Sequence, residues 1–141
     1  MKIATFNVNG VNGRLAVLTR WLAETEPAIV CLQELKAPDD KFPEPAIREL
    51  GYRAIWHGEK SWNGVAILAR DREPMETRRG LPGDPIEAAI DGILIGCPAP
   101  GPKFDHKLRW FDRLATHAAE LIATGIPAVF AGRCQIKPPV G

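Results

Sequence analysis

Two oxygen-bearing side chains near the start of the chain could form a reactive site. Asn7 stands just before the turn residues Asn9-Gly10, and Glu34 follows the short apolar run Ala28–Leu32. An amide and a carboxylate are oxygen ligands of the kind that hard divalent cations take. Taken alone the pair predicts little, because an Asn beside a turn usually bonds to local backbone and a Glu after a strand usually faces water. The elements around the two residues decide whether they meet.

Those elements are predicted to be a strand, a helix and a second strand. Lys2–Asn7 favours a β-strand, and the apolar residues of Arg14–Glu24 recur at helical spacing. Ala28–Leu32 is typical of a strand that is covered on both faces. In such a βαβ unit the two strands are parallel, with a right-handed crossover. Asn7 and Glu34 would then emerge at the same carboxyl edge of the sheet, where open α/β sheets place their sites.

Downstream, the apolar pattern predicts further strands and one long amphipathic helix. The strands are expected at Tyr52–His57, Gly64–Ala69, Ile86–Cys97 and Ile126–Ala131. The helix carries its apolar residues at helical spacing from Phe104 to Leu121 and should end near Gly125. Asn12 is expected to cap the first helix. At 141 residues the chain has the length of one α/β domain.

Composition and charge narrow the class of protein without selecting a partner. With 45% hydrophobic residues, 25% charged residues and a net charge of +1, the chain is typical of soluble globular proteins. The charge neither supports nor excludes DNA, because a basic groove can be local. Cys31, Cys97 and Cys134 are odd in number and form no CxxC pair, so reduced thiols and a cytoplasmic location are expected. No signal peptide or membrane span is expected.

Several short motifs follow one another along the chain in order. They are Thr5-Phe6-Asn7-Val8-Asn9-Gly10, Leu32-Gln33-Glu34-Leu35-Lys36, Gly51-Tyr52, His57-Gly58, Gly64-Val65-Ala66-Ile67-Leu68, Arg79-Gly80-Leu81-Pro82-Gly83-Asp84 and Lys103-Phe104. Together they resemble the exonuclease III-type AP endonuclease family, of the endonuclease/exonuclease/phosphatase superfamily. The resemblance implies that residues 1–132 form the N-terminal part of a nuclease domain, a partial four-layer α/β-sandwich, followed by a divergent tail, 133–141. An apolar sheet face would then be exposed and would favour association.

The same resemblance implies an activity and a cofactor. The expected reaction is hydrolysis of DNA phosphodiesters in base excision repair, as a 3′-5′ exonuclease and an abasic-site endonuclease on double-stranded DNA. The expected cofactor is Mg²⁺, with Mn²⁺ as a substitute. Glu34 would supply a carboxylate and Asn7 an amide oxygen or a contact to the phosphate. Gln33 would either bond near the site or serve the structure alone.

Basic and aromatic residues are further candidates for contacts with DNA. Lys36, Arg79, Lys103 and Lys107 could contact phosphates, and the last two lie one helical turn apart. For each, a solvated surface position is the alternative. Trp56 and Trp62 could stack on a base, and His57 could face the DNA, although packing roles are commoner for such residues.

The sequence departs from the family pattern where the attacking water would be activated. In place of the family's Gly-Asp-x-Asn motif it has Gly132-Arg133-Cys134-Gln135, and a guanidinium cannot accept a proton. The family's later Asp-His motif and an active-site tyrosine have no counterpart. An alternative function is therefore an impaired or inactive remnant that at most binds DNA or a partner. The tail suggests a disrupted reading frame, and a relative acting on phospholipids or inositol phosphates is a third possibility.

Overall fold

The secondary structure starts with a strand, a helix and a strand. The computed structural model describes residues 1–58, 63–76, 89–90, 93–94 and 102–132. The strands are β1 (Ile3–Asn7), β2 (Ile29–Gln33), β3 (Tyr52–Gly58), β4 (Gly64–Arg70), β5 (Ala89–Ile90) and β6 (Ile93–Leu94). The helices are α1 (Leu15–Thr25), α2 (Glu44–Glu49) and α3 (Pro102–Ala123), with a 3₁₀ turn at Asp39–Lys41. The predicted α/β class is confirmed.

The main sheet has four strands in the order β1-β2-β4-β3. β1 and β2 are parallel, with Ile3 opposite Ile29 and Asn7 opposite Gln33. β4 runs antiparallel to both β2 and β3. The predicted βαβ unit is therefore confirmed, and β1 and β2 end at the same edge.

One face of this sheet is covered by α1 and α2. Side chains from alternate strand positions meet the buried faces of both helices, because successive residues of a strand point to opposite faces. The members of this core include Leu18, Leu22, Val30, Leu32, Ile47, Ala66 and Leu68. Burying each of the larger ones stabilises the fold by about 1.5–3 kcal/mol. Trp21 packs against this core and contacts Phe6 edge-on, with ring centroids 5.3 Å apart.

The opposite face carries a smaller buried cluster of Cys31, Val65 and Ile67, with Ile29, Ile55 and Ala131 packed against it. Cys31 is a free, buried thiol, as expected, and burial raises its pKa. The expectation that an apolar sheet face would be exposed is wrong for these three residues. Exposure falls instead on the segment after α3, where Ile126, Val129 and Phe130 are accessible to solvent.

Two of the predicted strands are wrong. Ile86–Cys97 is not one strand, because Ala89 pairs antiparallel with Leu94 and Ile90 with Ile93, so the chain reverses between them. The sequence there is Asp91-Gly92, a strong hairpin signal. Ile126–Ala131 forms no strand beyond an isolated bridge at Ala131. An apolar run becomes a strand only where another strand pairs with it, and no such partner lies among the described residues.

The helices differ from expectation at two points. α1 starts after Arg14 without a side-chain cap, and Asn12 donates instead to the carbonyl of Lys41, at 3.0 Å. α2 was not predicted, because it is six residues long and buries only Ile47. α3 matches the predicted amphipathic helix closely. In the described part of the chain, no helix is long and apolar enough to cross a membrane.

Candidate metal centre

Asn7 and Glu34 meet at the carboxyl edge of the parallel strand pair. Asn7 is the last residue of β1 and lies opposite Gln33, the last residue of β2, so Glu34 is the first residue beyond the sheet. The Asn7 Nδ2 atom donates to Glu34 Oε1 at 2.8 Å. The arrangement therefore brings together the two residues on which the predicted site depends.

The orientation of the Asn7 amide is set by its neighbour Asn9. The Asn9 backbone N–H donates to Asn7 Oδ1 at 3.2 Å, so this end of the amide is the oxygen and the Nδ2 end faces the carboxylate. Asn9 has φ 46°, a left-handed conformation that Asn tolerates better than most residues. Asn7 therefore orients the Glu34 carboxylate through Oε1.

Lys36 reaches into the same cluster. Its Nζ donates to Asn9 Oδ1 at 2.5 Å and lies 3.8 Å from Glu34 Oε2. The side chains of Lys36 and Glu34 are 26% and 35% exposed, so the ion pair is partly shielded from water. The predicted phosphate-contact residue Lys36 thus lies within the candidate centre.

The backbone from Glu34 to Lys36 is clamped between two other segments. On one side the Gly10 N–H donates to the Glu34 carbonyl at 2.9 Å, and on the other the Lys36 N–H donates to the Asn63 carbonyl at 2.8 Å. Leu35 between them is buried and bonds to both sides through its own backbone. Glu34 and Lys36 have φ 55° and 51°, a conformation that persists only where its surroundings enforce it. The clamp is therefore what holds Glu34 in place.

Gln33 serves the structure and does not reach Glu34. Its side chain is buried, and Nε2 donates to Thr5 Oγ1 and to the Cys31 carbonyl, each at 2.9 Å. These two hydrogen bonds occupy the buried Gln33 Nε2 group at the end of β2. Of the two roles considered for Gln33, the geometry supports the structural one.

His57 and Trp56 lie away from the centre. His57 is opposite Val65, which is opposite Gln33, so it stands three strand spacings from Asn7, about 14 Å. That distance is too long for the two to share a cation. Trp56 stacks on Phe42 with ring centroids 4.5 Å apart and donates Nε1 to the Asp39 carbonyl at 3.0 Å. These contacts support packing rather than base stacking for Trp56.

Other candidate residues fall outside the described part. Trp62, Arg79, Arg133 and Gln135 are not described. Lys103 and Lys107 lie one turn apart in α3, as expected, but their side chains are not described. Asn9 was predicted only as part of a turn. An Asn followed by Gly is a signal for positive φ, but nothing in the sequence showed that its side chain would hold Lys36.

The donor set fits magnesium. Among the described residues no three His, Cys, Asp or Glu side chains form a group that could hold a metal. Magnesium does not need such a cage, since it is usually held by one or two carboxylates together with waters and substrate phosphates. One oriented, partly exposed carboxylate matches this mode of magnesium binding.

Comparison with known proteins points to one family. Residues 4–132 match the endonuclease/exonuclease/phosphatase family. Exodeoxyribonuclease III of Haemophilus influenzae is 39% identical over 88 residues, covering 62% of this chain and 33% of that protein. DNA-(apurinic or apyrimidinic site) endonuclease 2 of Mus musculus is 30% identical over 113 residues, covering 69% of this chain and 21% of that protein.

Solved structures give the same result. The 3′ phosphatase NExo (D146N) from Neisseria, bound to a product DNA hairpin, has a TM-score of 0.73 and 36% identity, covering 87% of this chain and 53% of that one. An AP endonuclease from Archaeoglobus fulgidus has a TM-score of 0.68 and 38% identity, covering 81% of this chain and 49% of that one. The chain thus spans about half the length of these structures, and a third or less of the curated relatives.

Proposed function

This chain belongs to the endonuclease/exonuclease/phosphatase family, and from that premise we propose that it hydrolyses phosphodiester bonds in DNA with Mg²⁺. The proposed substrates are double-stranded DNA with abasic sites or 3′ ends, in base excision repair. The observation that carries the proposal is the partly exposed Glu34 carboxylate, oriented by Asn7 at the sheet edge. The names of the relatives, exodeoxyribonuclease III and AP endonuclease, support the reaction class. We also propose a cytoplasmic location, with which the free thiol of Cys31 agrees.

Among the described residues, one would hold the metal and others would orient the carboxylate that holds it. Glu34 would hold the metal through its carboxylate, which the hydrogen bond from Asn7 orients. Asn7 and the backbone clamp would keep the carboxylate from rotating. A metal held there would supply Lewis-acid chemistry, which would polarise the scissile phosphodiester and stabilise the leaving oxygen. Mn²⁺ should substitute, because it also takes oxygen ligands.

DNA would be held by basic side chains near this edge and on α3. Lys36 lies in the centre itself, and Lys103 and Lys107 are one turn apart on α3. Each phosphate neutralised releases counterions, so binding should weaken as salt concentration rises. A related structure that holds a DNA hairpin product supports DNA as the class of partner.

A second candidate function is binding of DNA or a protein partner without catalysis. It is favoured by the sequence Gly132-Arg133-Cys134-Gln135, because Arg133 cannot act as a general base where the family carries an acid. The metal centre and the basic residues would survive in such a protein. The two candidates differ in turnover and agree in metal and DNA binding.

The test is a panel of substrates with the purified chain. An abasic-site duplex, a duplex with a recessed 3′ end and an inositol polyphosphate are each incubated with Mg²⁺ or with EDTA. We expect cleavage of both duplexes with Mg²⁺ only, and no reaction of the inositol phosphate. Salt-sensitive binding of the duplexes without cleavage would support the second candidate. Hydrolysis of the inositol phosphate alone would contradict both.

A further inference from the structure

The Glu34 carboxylate accepts a hydrogen bond from Asn7 at one oxygen, and a lysine stands beside the other. Oε1 accepts from Asn7 Nδ2 at 2.8 Å. Lys36 Nζ lies 3.8 Å from Oε2, the other oxygen. An ammonium and a divalent cation repel each other, so the Lys36 ammonium weakens the binding of a divalent cation to this carboxylate.

We propose that Lys36 is a tethered placeholder for the metal, an ammonium that neutralises Glu34 in the metal-free centre and gives way when a divalent cation binds. The proposal rests on the proposed function, since it requires Glu34 to be the metal ligand. It assigns Lys36 a role within the site, where the sequence suggested only a phosphate contact on a rim.

Asn9 is the second residue on which the displacement of Lys36 from Glu34 depends. Its Oδ1 accepts from Lys36 Nζ at 2.5 Å, which is shorter than the 3.8 Å between that ammonium and Glu34 Oε2. The ammonium can therefore leave Glu34 without losing its hydrogen bond to Asn9. Asn9 also fixes the Asn7 amide through its backbone N–H. One residue thus links the orientation of the carboxylate to the position of the competing cation.

The backbone at Lys36 is held in place, so only the Lys36 side chain needs to move when a metal replaces it. The Lys36 N–H donates to the Asn63 carbonyl at 2.8 Å, and Leu35 beside it is buried. The Cα of Lys36 is therefore held while its long side chain can turn. Displacement should cost little, because an ion pair exposed to this degree contributes only modestly. Once displaced, the ammonium remains next to the centre, where it can approach a substrate phosphate.

The experiment is a Mn²⁺ titration of the full chain, with free Mn²⁺ followed by electron paramagnetic resonance. Lys36→Met removes the competing charge, so we expect Mn²⁺ to bind about two- to ten-fold more tightly than in the wild type. Lys36→Arg keeps the charge and should stay within about two-fold of the wild type. A variant with damaged structure would bind Mn²⁺ more weakly, so the direction of the change separates competition from misfolding.

Lys2→Met is the matched control. Lys2 Nζ also makes a hydrogen bond, to the Thr25 carbonyl at 2.5 Å, but from the opposite end of β1. Its loss removes the same charge and should leave Mn²⁺ affinity unchanged. Unchanged or weaker binding in Lys36→Met would overturn the placeholder role while leaving the proposed function intact. If the wild type binds no more Mn²⁺ than Glu34→Ala does, both the placeholder role and the proposed function are overturned.

Discussion

The backbone N–H of Asn9 sets the arrangement of the candidate centre. By donating to Asn7 Oδ1 it turns the Nδ2 group toward Glu34. The sequence predicted that Asn7 and Glu34 would meet, because a βαβ unit brings the ends of its strands together. It could not predict which end of the amide faces the carboxylate, because a turn conformation at Asn9 determines that. In the structure Asn7 thus positions Glu34, and its expected role as a metal ligand or phosphate contact stays a prediction.

Replacement of Asn7 tests this positioning role. Asn7→Ala frees Oε1 and lets the carboxylate rotate, so we expect Mn²⁺ affinity to fall about 10- to 100-fold, as for other groups that orient a metal ligand. Asn12→Ala is the control, since Asn12 donates to the Lys41 carbonyl outside the centre. Equal affinities of Asn7→Ala and the wild type, measured by Mn²⁺ titration, would exclude a role for Asn7 in orienting Glu34.

Tyr52 gives a prediction about pH. Its hydroxyl donates to the Pro27 carbonyl at 2.8 Å, and burial raises its pKa above the ordinary value of 10.0. The unfolded chain therefore loses this proton first as pH rises. The contribution of Tyr52 to stability is complete below pH 10 and is lost as the pH rises through the folded-state pKa.

Tyr52→Phe should lower the free energy of unfolding by about 1 kcal/mol at neutral pH, through loss of the hydrogen bond. It should also make the loss of stability above pH 10 less steep than in the wild type. Urea unfolding of both proteins from pH 8 to 11 measures this, at fixed temperature. Parallel curves for the two proteins would show that Tyr52 does not titrate differently on folding.

Among the helices and strands, the sequence predicted those that depend on contacts between residues close together in the chain. β1, α1, β2 and α3 follow from apolar periodicity, and their bounds are within a few residues of the prediction. The segment from Ile86 to Cys97 was misread because its apolar residues dominate the Asp91-Gly92 turn signal. The run from Ile126 to Ala131 has strand composition, but pairing depends on a partner strand that the segment itself cannot reveal.

The end of β3 supports the loop that leads from the centre. A Cβ placed on Gly58 would lie 2.4 Å from the Ala37 carbonyl oxygen and 2.7 Å from the Asp39 nitrogen. Both are backbone atoms, so the strand or the loop must move. Ala37 directly follows Lys36 in the chain, so the close approach at Gly58 is one residue away from the candidate metal centre.

We expect Gly58→Ala to lower the free energy of unfolding by about 1–3 kcal/mol, because overpacking forces the backbone to shift. Gly13→Ala is the matched control, since a Cβ there meets only the Gly10 carbonyl oxygen, at 4.0 Å. That change should be neutral or slightly stabilising. Urea unfolding compares the two variants. Equal stability of both would mean that the Gly58 contact is relieved without cost.

At the scale of the whole molecule, exposed apolar residues follow α3. Val129 is 52% and Phe130 43% exposed, and Ile126 next to them is more exposed still. Exposed apolar residues so close together in the chain favour association. Double replacement of Val129 and Phe130 by Asp should therefore lower the average mass in sedimentation equilibrium. Val17→Asp is the control, because Val17 is similarly exposed but lies on α1. An equal effect of both changes would indicate a general charge effect.

The most direct test of the account is the rate at which the chain cleaves an abasic-site duplex in Mg²⁺, compared between the wild type and Glu34→Ala. If the chain is a hydrolase and Glu34 holds the metal, the wild type cleaves above the EDTA background and Glu34→Ala falls to that background. Glu24→Ala, which removes an exposed carboxylate on α1, should cleave at the wild-type rate. Equal cleavage by Glu34→Ala and the wild type, both above the EDTA background, would contradict the proposed site.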